Sequence, residues 1–156
     1  AIPIVLFAKK MGMNDSLITL IFINMSFVLP YVIWLLQAYF KTIPSEIEDA
    51  GRIDGCSRFQ VVNKIIIPLS LPGLVTTGIL AFLLSWGEFL FALLITESEG
   101  SYTSTVVAAM FATMVGDINY VTIIAAGVLS VIPPVLFALF FQKYIMSGLL
   151  SGAVKS

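Results

Sequence analysis

Histidine is absent from this chain, and Cys56 is its only cysteine. Without histidine the commonest general base and the commonest metal ligand are missing. No Ser-His-Asp or Cys-His nucleophile can therefore be assembled. One thiol forms no internal disulfide and no cysteine-based zinc site. A Gly-x-x-x-x-Gly-Lys-Ser/Thr loop, whose amides cradle phosphates, is also missing, so ATP hydrolysis is not expected of this chain. The carboxylates fall into three places. Glu46, Glu48, Asp49 and Asp54 surround Arg52, while Asp15, Glu97, Glu99 and Asp117 lie in loops. Glu88 stands alone inside an apolar run.

A charge at membrane depth is costly and normally faces a bundle interior or a watery path. Glu88 sits ~10 Å from the end of its run at 1.5 Å per residue, close enough to snorkel toward the interface. It reads either as a pathway or gating group or as a structural hydrogen-bonding group. Trp86, two residues earlier, is an aromatic residue near a span end, where interface anchoring and packing compete with direct contact to a solute.

The elements that must position these residues are membrane helices. Hydrophobic residues make up 59% of the chain and charged residues 11%, whereas a soluble domain carries roughly a quarter charged residues. The apolar residues cluster into the runs 17–40, 68–96 and 121–145, each meeting the ~20 residues a helix needs to cross a bilayer. The expected fold is all-α integral membrane, with three transmembrane helices. Residues 1–16 read as the end of a preceding span and an outer loop, and the chain as a piece of a longer protein. Thr105 to Val115, closed by Gly116 and Asp117, is half a span and is expected as a short helix near one surface, with a fourth span as the alternative.

Lys41, Arg52, Arg58 and Lys64 lie between the first two runs, and Lys143 and Lys155 at or beyond the third. The other side has Lys9 and Lys10 against four acids. The positive-inside rule then makes the loop 41–67 and the tail 146–156 cytoplasmic, and the loop 97–120 outward. Proline at Pro30 and at Pro133-Pro134 should kink the helices that contain it.

The loop 41–67 carries structure of its own. Ser45 with Glu48, and Ser57 with Gln60, each fit a capping box. Asp54-Gly55 should end the first helix, because glycine takes the left-handed conformation without steric cost. The expected result is a helical hairpin projecting from the bilayer, its second helix running to Ile67 before Pro68 opens the span. Ala50, Gly51 and Gly55 would admit a close backbone, and Ile47, Ala50 and Ile53 form an apolar stripe suited to a partner's groove. A surface hairpin without a partner is the alternative from physics alone.

The stretch Glu48-Asp49-Ala50-Gly51-Arg52-Ile53-Asp54-Gly55 resembles the EAA loop of the permease subunits of ATP-binding-cassette importers. That pattern reads Glu-Ala-Ala, three residues, Gly, nine residues, Ile-x-Leu-Pro. Here it appears as Asp49-Ala50-Gly51, then Gly55, then Ile65-Ile66-Ile67-Pro68. The departures are Asp for Glu, Gly for the second Ala and Ile for Leu. The segments Ile43-Pro44-Ser45-Glu46-Ile47-Glu48 and Ser85-Trp86-Gly87-Glu88-Phe89 are similar to those of the carbohydrate, maltose-type branch. So is the tail Gly148-Leu149-Leu150-Ser151-Gly152-Ala153-Val154-Lys155.

The resemblance implies the last three spans of a six-span permease, with Glu48, Asp49, Ala50, Gly51, Asp54, Gly55, Ile65 and Pro68 in a coupling helix hairpin. It implies a cytoplasmic ATP-binding subunit pair that holds ATP and Mg, a second permease subunit and an extracytoplasmic solute-binding protein. No cofactor is expected in this chain, and no nucleic acid partner. Trp86 and Glu88 become candidates for the solute path, the Trp86 ring as a platform for a sugar. A permease for another solute, or a carrier driven by an ion gradient, are the competing functions.

Overall fold

A computed structural model describes the backbone of residues 2–113 and 120–153, and the side chains of 2–111 and 120–142. The described residues form helices α1 (Ile2–Lys10), α2 (Leu17–Phe40), α3 (Ser45–Ile53), α4 (Arg58–Val61), a π-helical turn (Val62–Ile66), α5 (Ile67–Leu69), α6 (Leu71–Trp86), α7 (Leu90–Ile95), α8 (Ser104–Thr113) and α9 (Tyr120–Ala153). There is no strand among them. Two helical stretches among the described residues, Leu17–Phe40 and Tyr120–Gln142, are long and apolar enough to cross a membrane, and a bent pair of helices makes a third if it is counted as one span. The all-α membrane class expected from composition is therefore what the chain adopts. Helices are the outcome that hydrocarbon dictates, since each backbone N–H and C=O must find its partner within the segment.

The chain divides into two compact units, Ala1–Leu29 with Phe82–Phe137, and Pro30–Ala81 with Ala138–Ser156. In the first unit, Val5, Ala8, Ile23 and Ile95 form one buried cluster with Phe91 and Leu94 against it. Leu20, Ala92 and Val106 form another, with Phe91, Tyr102 and Met110 packed on it. Phe91 joins both clusters and also stacks on Phe27, with ring centroids 5.1 Å apart. Helix α7 thus contributes to both clusters through Phe91, Ala92, Leu94 and Ile95, although it is only six residues long.

The run 68–96 departs from a single straight span, first at a bend within the second unit. Helical stretches Arg58–Leu69 and Leu71–Trp86 meet at a bend of 71°. The cause is local. Pro68 and Pro72 have no N–H, so the carbonyls of Lys64 and Pro68 lose their ordinary ladder donors. The π turn that precedes them widens the helix, another recognised origin of a kink. Ser70, fully buried, fills the bend: its N–H and its Oγ both donate to the Ile66 carbonyl, at 2.9 and 2.7 Å. The long helix consequently opens at Leu71, and not at Pro68. Further along, the run breaks again at Gly87-Glu88-Phe89 before α7 begins.

Helices α2 and α6 approach closely at one point in this unit. A Cβ on Gly73 would lie 2.5 Å from the ring of Tyr39. A ring wedged against a backbone has little room to retreat, whereas Gly78 on the same helix has open space around it. On α9, by contrast, no described side chain of Tyr120–Gln142 is buried. That apolar surface requires lipid or further helices to cover it.

Gly73→Ala is expected to lower the unfolding free energy by about 1–3 kcal/mol through overpacking. Gly78→Ala should be neutral or stabilising by up to about 1 kcal/mol from helix propensity. Thermal melts of the two variants in detergent check both.

Candidate functional site

The hairpin in the second unit is built by identifiable local interactions. Helix α3 starts after Pro44, whose φ of −61° and ψ of 137° hold the chain extended at the entry. The expected Ser45–Glu48 capping box does not form. The helix begins at Ser45 itself, and no side chain caps it. Glu48 instead pairs with Arg52 one turn on, and Arg52 also reaches Asp49 at 3.8 Å. The competing ion pair takes the glutamate that the box needed. Acidic residues in the first turn and Arg52 in the last nevertheless match the helix dipole.

The end of α3 is a Schellman motif. The N–H of Gly55 donates to the Arg52 carbonyl and that of Cys56 to the Gly51 carbonyl, each at 3.0 Å. Gly55 has φ +83°, the left-handed conformation this closure demands. Ser57 then caps α4 with both halves of a capping box. Its N–H donates to Gln60 Oε1 at 2.8 Å, and the Gln60 N–H donates to its Oγ at 3.4 Å.

Gly51 is buried, with a Cβ position 2.6 Å from Ile65 Cδ1 and 3.3 Å from Val61 Cγ2. The close approach that its small size permits is therefore spent inside the hairpin and not on a partner. Ile65 is half-buried, and Val61 is fully enclosed. Outward lie Asp49, Ala50, Asp54, Gly55 and Pro68, all exposed. Ile47 is half-buried, so the exposed part of the expected stripe reduces to Ala50 and Ile53. Ile53 is 86% exposed, and Phe59 on α4 is 77% exposed. Phe59 had no signal in a stripe counted along one helix. It comes into view only once the capping box at Ser57 fixes where α4 starts. The result is a rigid knob with acidic and apolar groups on its surface and no catalytic set.

The two residues considered for a solute path lie in the first unit, and both have structural partners. Glu88 Oε1 accepts from the Phe91 N–H at 2.7 Å and Oε2 from the Ala92 N–H at 3.0 Å. The carboxylate thus satisfies free amides at the start of α7. Its carbonyl accepts from Thr105 Oγ1 at 3.0 Å. Trp86 Nε1 donates to the Ser130 carbonyl at 3.0 Å, and its ring lies against Phe82 at 5.4 Å. The structural hydrogen-bonding reading of Glu88 therefore has direct geometric support. The expected closure of α8 by Gly116 and Asp117 lies outside the described residues, as does Lys155; Gly148 and Gly152 lie on α9, beyond the described side chains.

A second polar cluster in this unit was visible in the sequence only as charge. Asp15, at φ 54°, accepts from the N–H groups of Glu97 and Ser98 at 2.8 and 2.9 Å and from Ser101 Oγ. Its own N–H donates to the Ile95 carbonyl at 2.8 Å. Lys9 pairs with Glu97 at 2.8 Å, and Tyr102 Oη donates to the Glu97 carbonyl at 2.9 Å. Together these clasp the loop after α1 to the loop after α7. The Ser101 hydroxyl, then the Glu97 amide and the Ser98 groups, hold the Asp15 carboxyl well below the ordinary aspartate range. Hydrogen bonding and charge from Lys9 lower that of Glu97.

Residues 1–150 match the family described as "Binding-protein-dependent transport system inner membrane component". The chain belongs to this family. It is 41% identical over 149 residues, 96% of its length, to the trehalose/maltose transport system permease protein MalG of Thermococcus litoralis, covering 54% of that protein. It is 38% identical over 98% of its length to the trehalose transport system permease protein SugB of Mycobacterium tuberculosis, covering 56% of it. The diacetylchitobiose uptake system permease protein DasC of Streptomyces coelicolor is 32% identical over 99% of the chain and is covered to 55%. The chain thus spans about half the length of the curated relatives it matches. Family members are membrane components of transport systems, which agrees with the apolar helices.

For the Asp15 clasp the sign of the pH dependence is fixed by its lowered folded pKa. Its stabilisation is complete above the unfolded value of about 4 and is lost only as pH falls toward the lower folded value. Asp15→Asn is expected to speed hydrogen exchange of the Glu97 and Ser98 amides several-fold at neutral pH. Mass-resolved exchange on the peptide that contains Glu97 and Ser98 checks this.

Proposed function

We propose that this chain is the C-terminal part of the permease subunit of an ATP-binding-cassette importer, moving a sugar or related polar solute by alternating access. The reading is carried by one observation above the others. A hairpin with the EAA spacing is rigidified by a Schellman motif and a capping box, yet leaves Ile53 and Phe59 exposed at its surface. Stably held apolar side chains in an otherwise polar loop are what a docking site requires. On this reading Glu48, Asp49, Ala50 and Asp54 rim the contact, and Gly51, Gly55, Ile65 and Pro68 hold its shape.

The occupant is a cytoplasmic ATP-binding subunit, one of a pair, which binds ATP and Mg; this chain supplies no catalysis. The loop 41–67 and the C-terminus then face the cytoplasm of a bacterium or archaeon. A second permease subunit completes the path, and an extracytoplasmic solute-binding protein delivers cargo to the outer loops. Sugar as cargo is supported by relatives named for trehalose, maltose and diacetylchitobiose uptake. Trp86 and Glu88 take a supporting part in the path, since their polar atoms are engaged within the fold.

Replacing Ile53 and Phe59 together by serine in the whole transporter should reduce ATP-dependent sugar uptake roughly tenfold or more, the cost of losing two buried contacts at an interface. Accumulation of the subunit in the membrane should stay unchanged, because neither side chain packs inside the hairpin. Uptake at the normal rate would exclude docking at this surface. Uptake that survives loss of ATP hydrolysis but stops when ion gradients are dissipated would favour a gradient-driven carrier instead.

A further inference from the structure

Helix α9 contains Pro133 and Pro134, and a proline at position i withholds the N–H that the carbonyl at i−4 expects. For Pro134 that carbonyl belongs to Ser130. It is the same carbonyl that accepts the indole N–H of Trp86 at 3.0 Å. The Ser130 side chain cannot supply the missing donor, since its Oγ is directed to the Ala126 carbonyl at 2.9 Å and the Ser104 carbonyl at 3.3 Å. The Trp86 ring is held in place by Phe82, which itself stacks on Phe137 with centroids 4.2 Å apart. Every part of this arrangement lies in the first unit.

We infer that Trp86 is a positioning residue, whose indole N–H replaces the backbone donor removed by Pro134 and so latches the end of α6 to the middle of α9. In hydrocarbon a carbonyl stripped of its ladder partner has no water to fall back on. Only another part of the protein can satisfy it, and indole is suited to the task because it donates one hydrogen bond and is otherwise apolar. The proline gap and the tryptophan are then two halves of one device. The gap leaves an acceptor without its ladder donor, and the indole turns that acceptor into a tie between helices. This inference stands on geometry alone and does not depend on the transport reading.

A double-mutant cycle tests it on the whole subunit in solubilised membranes. Trp86→Phe keeps an aromatic ring but removes the donor, and is expected to lower the unfolding midpoint by about 2–4 °C. Pro134→Ala restores a backbone N–H that can return to the Ser130 carbonyl. In that background Trp86→Phe should cost less than half as much. Ser130→Ala, which removes the hydroxyl and keeps the carbonyl, should leave the dependence between positions 86 and 134 intact. If Trp86→Phe fails to accumulate, recovery of the subunit in the membrane on adding Pro134→Ala is the equivalent supporting result. Equal losses in both backgrounds, or no recovery by Pro134→Ala, would overturn the inference, because a ring that merely packs is indifferent to the amide at position 134.

Discussion

A backbone amide or carbonyl inside a bilayer has no solvent to bond with, and an unmet one costs several kcal/mol. Several irregular features among the described residues can be traced to that constraint. The long helices meet it by their own ladders. Where the ladder is interrupted, at the break at 87–89 and at Pro134 in α9, a specific side chain supplies a missing partner. Ser70 donates to the Ile66 carbonyl at the bend, the Glu88 carboxylate receives the first amides of α7, and Trp86 donates to Ser130. Glu88 and Trp86 are in this sense repairs to the backbone.

This view changes the weight of the residues that first draw attention. A lone glutamate and a tryptophan in an apolar run invite a reading as a solute path, since buried charge is expensive and usually functional. Here the expense is offset by two amide donors on the glutamate, and the indole has its own carbonyl. The family's chemistry is better sought where the fold leaves groups unused. On the proposed reading that place is the hairpin, where Ile53 and Phe59 face outward beside a Schellman closure and a capping box.

Much of the hairpin was legible in the sequence because its signals are short-range. Gly55 at a helix end and the Ser57–Gln60 box depend on residues within one turn, and both form. The Ser45–Glu48 box has the same local pattern but fails, because Arg52 at the next turn offers Glu48 a charged partner. The role of Gly51 was legible only in part: its size calls for a close neighbour, but only the folded hairpin shows that the neighbours are Val61 and Ile65. The helix class followed from composition. The bend at Ser70 and the break at Glu88 did not, since hydropathy reads through both as one apolar run. The Asp15 clasp was out of reach for a different reason, as it joins loops more than eighty residues apart in sequence.

On the proposed reading the hairpin lies on the cytoplasmic face beneath a docked ATP-binding subunit, and Cys56, half-buried between α3 and α4, reports on it directly. The decisive measurement is labelling of Cys56 by a membrane-impermeant maleimide in inside-out vesicles, with other cysteines of the subunit removed, before and after peripheral proteins are stripped away. A docked subunit predicts labelling from this face that becomes faster after stripping. Labelling that is unchanged by stripping, or that occurs only from the outer face, would contradict it.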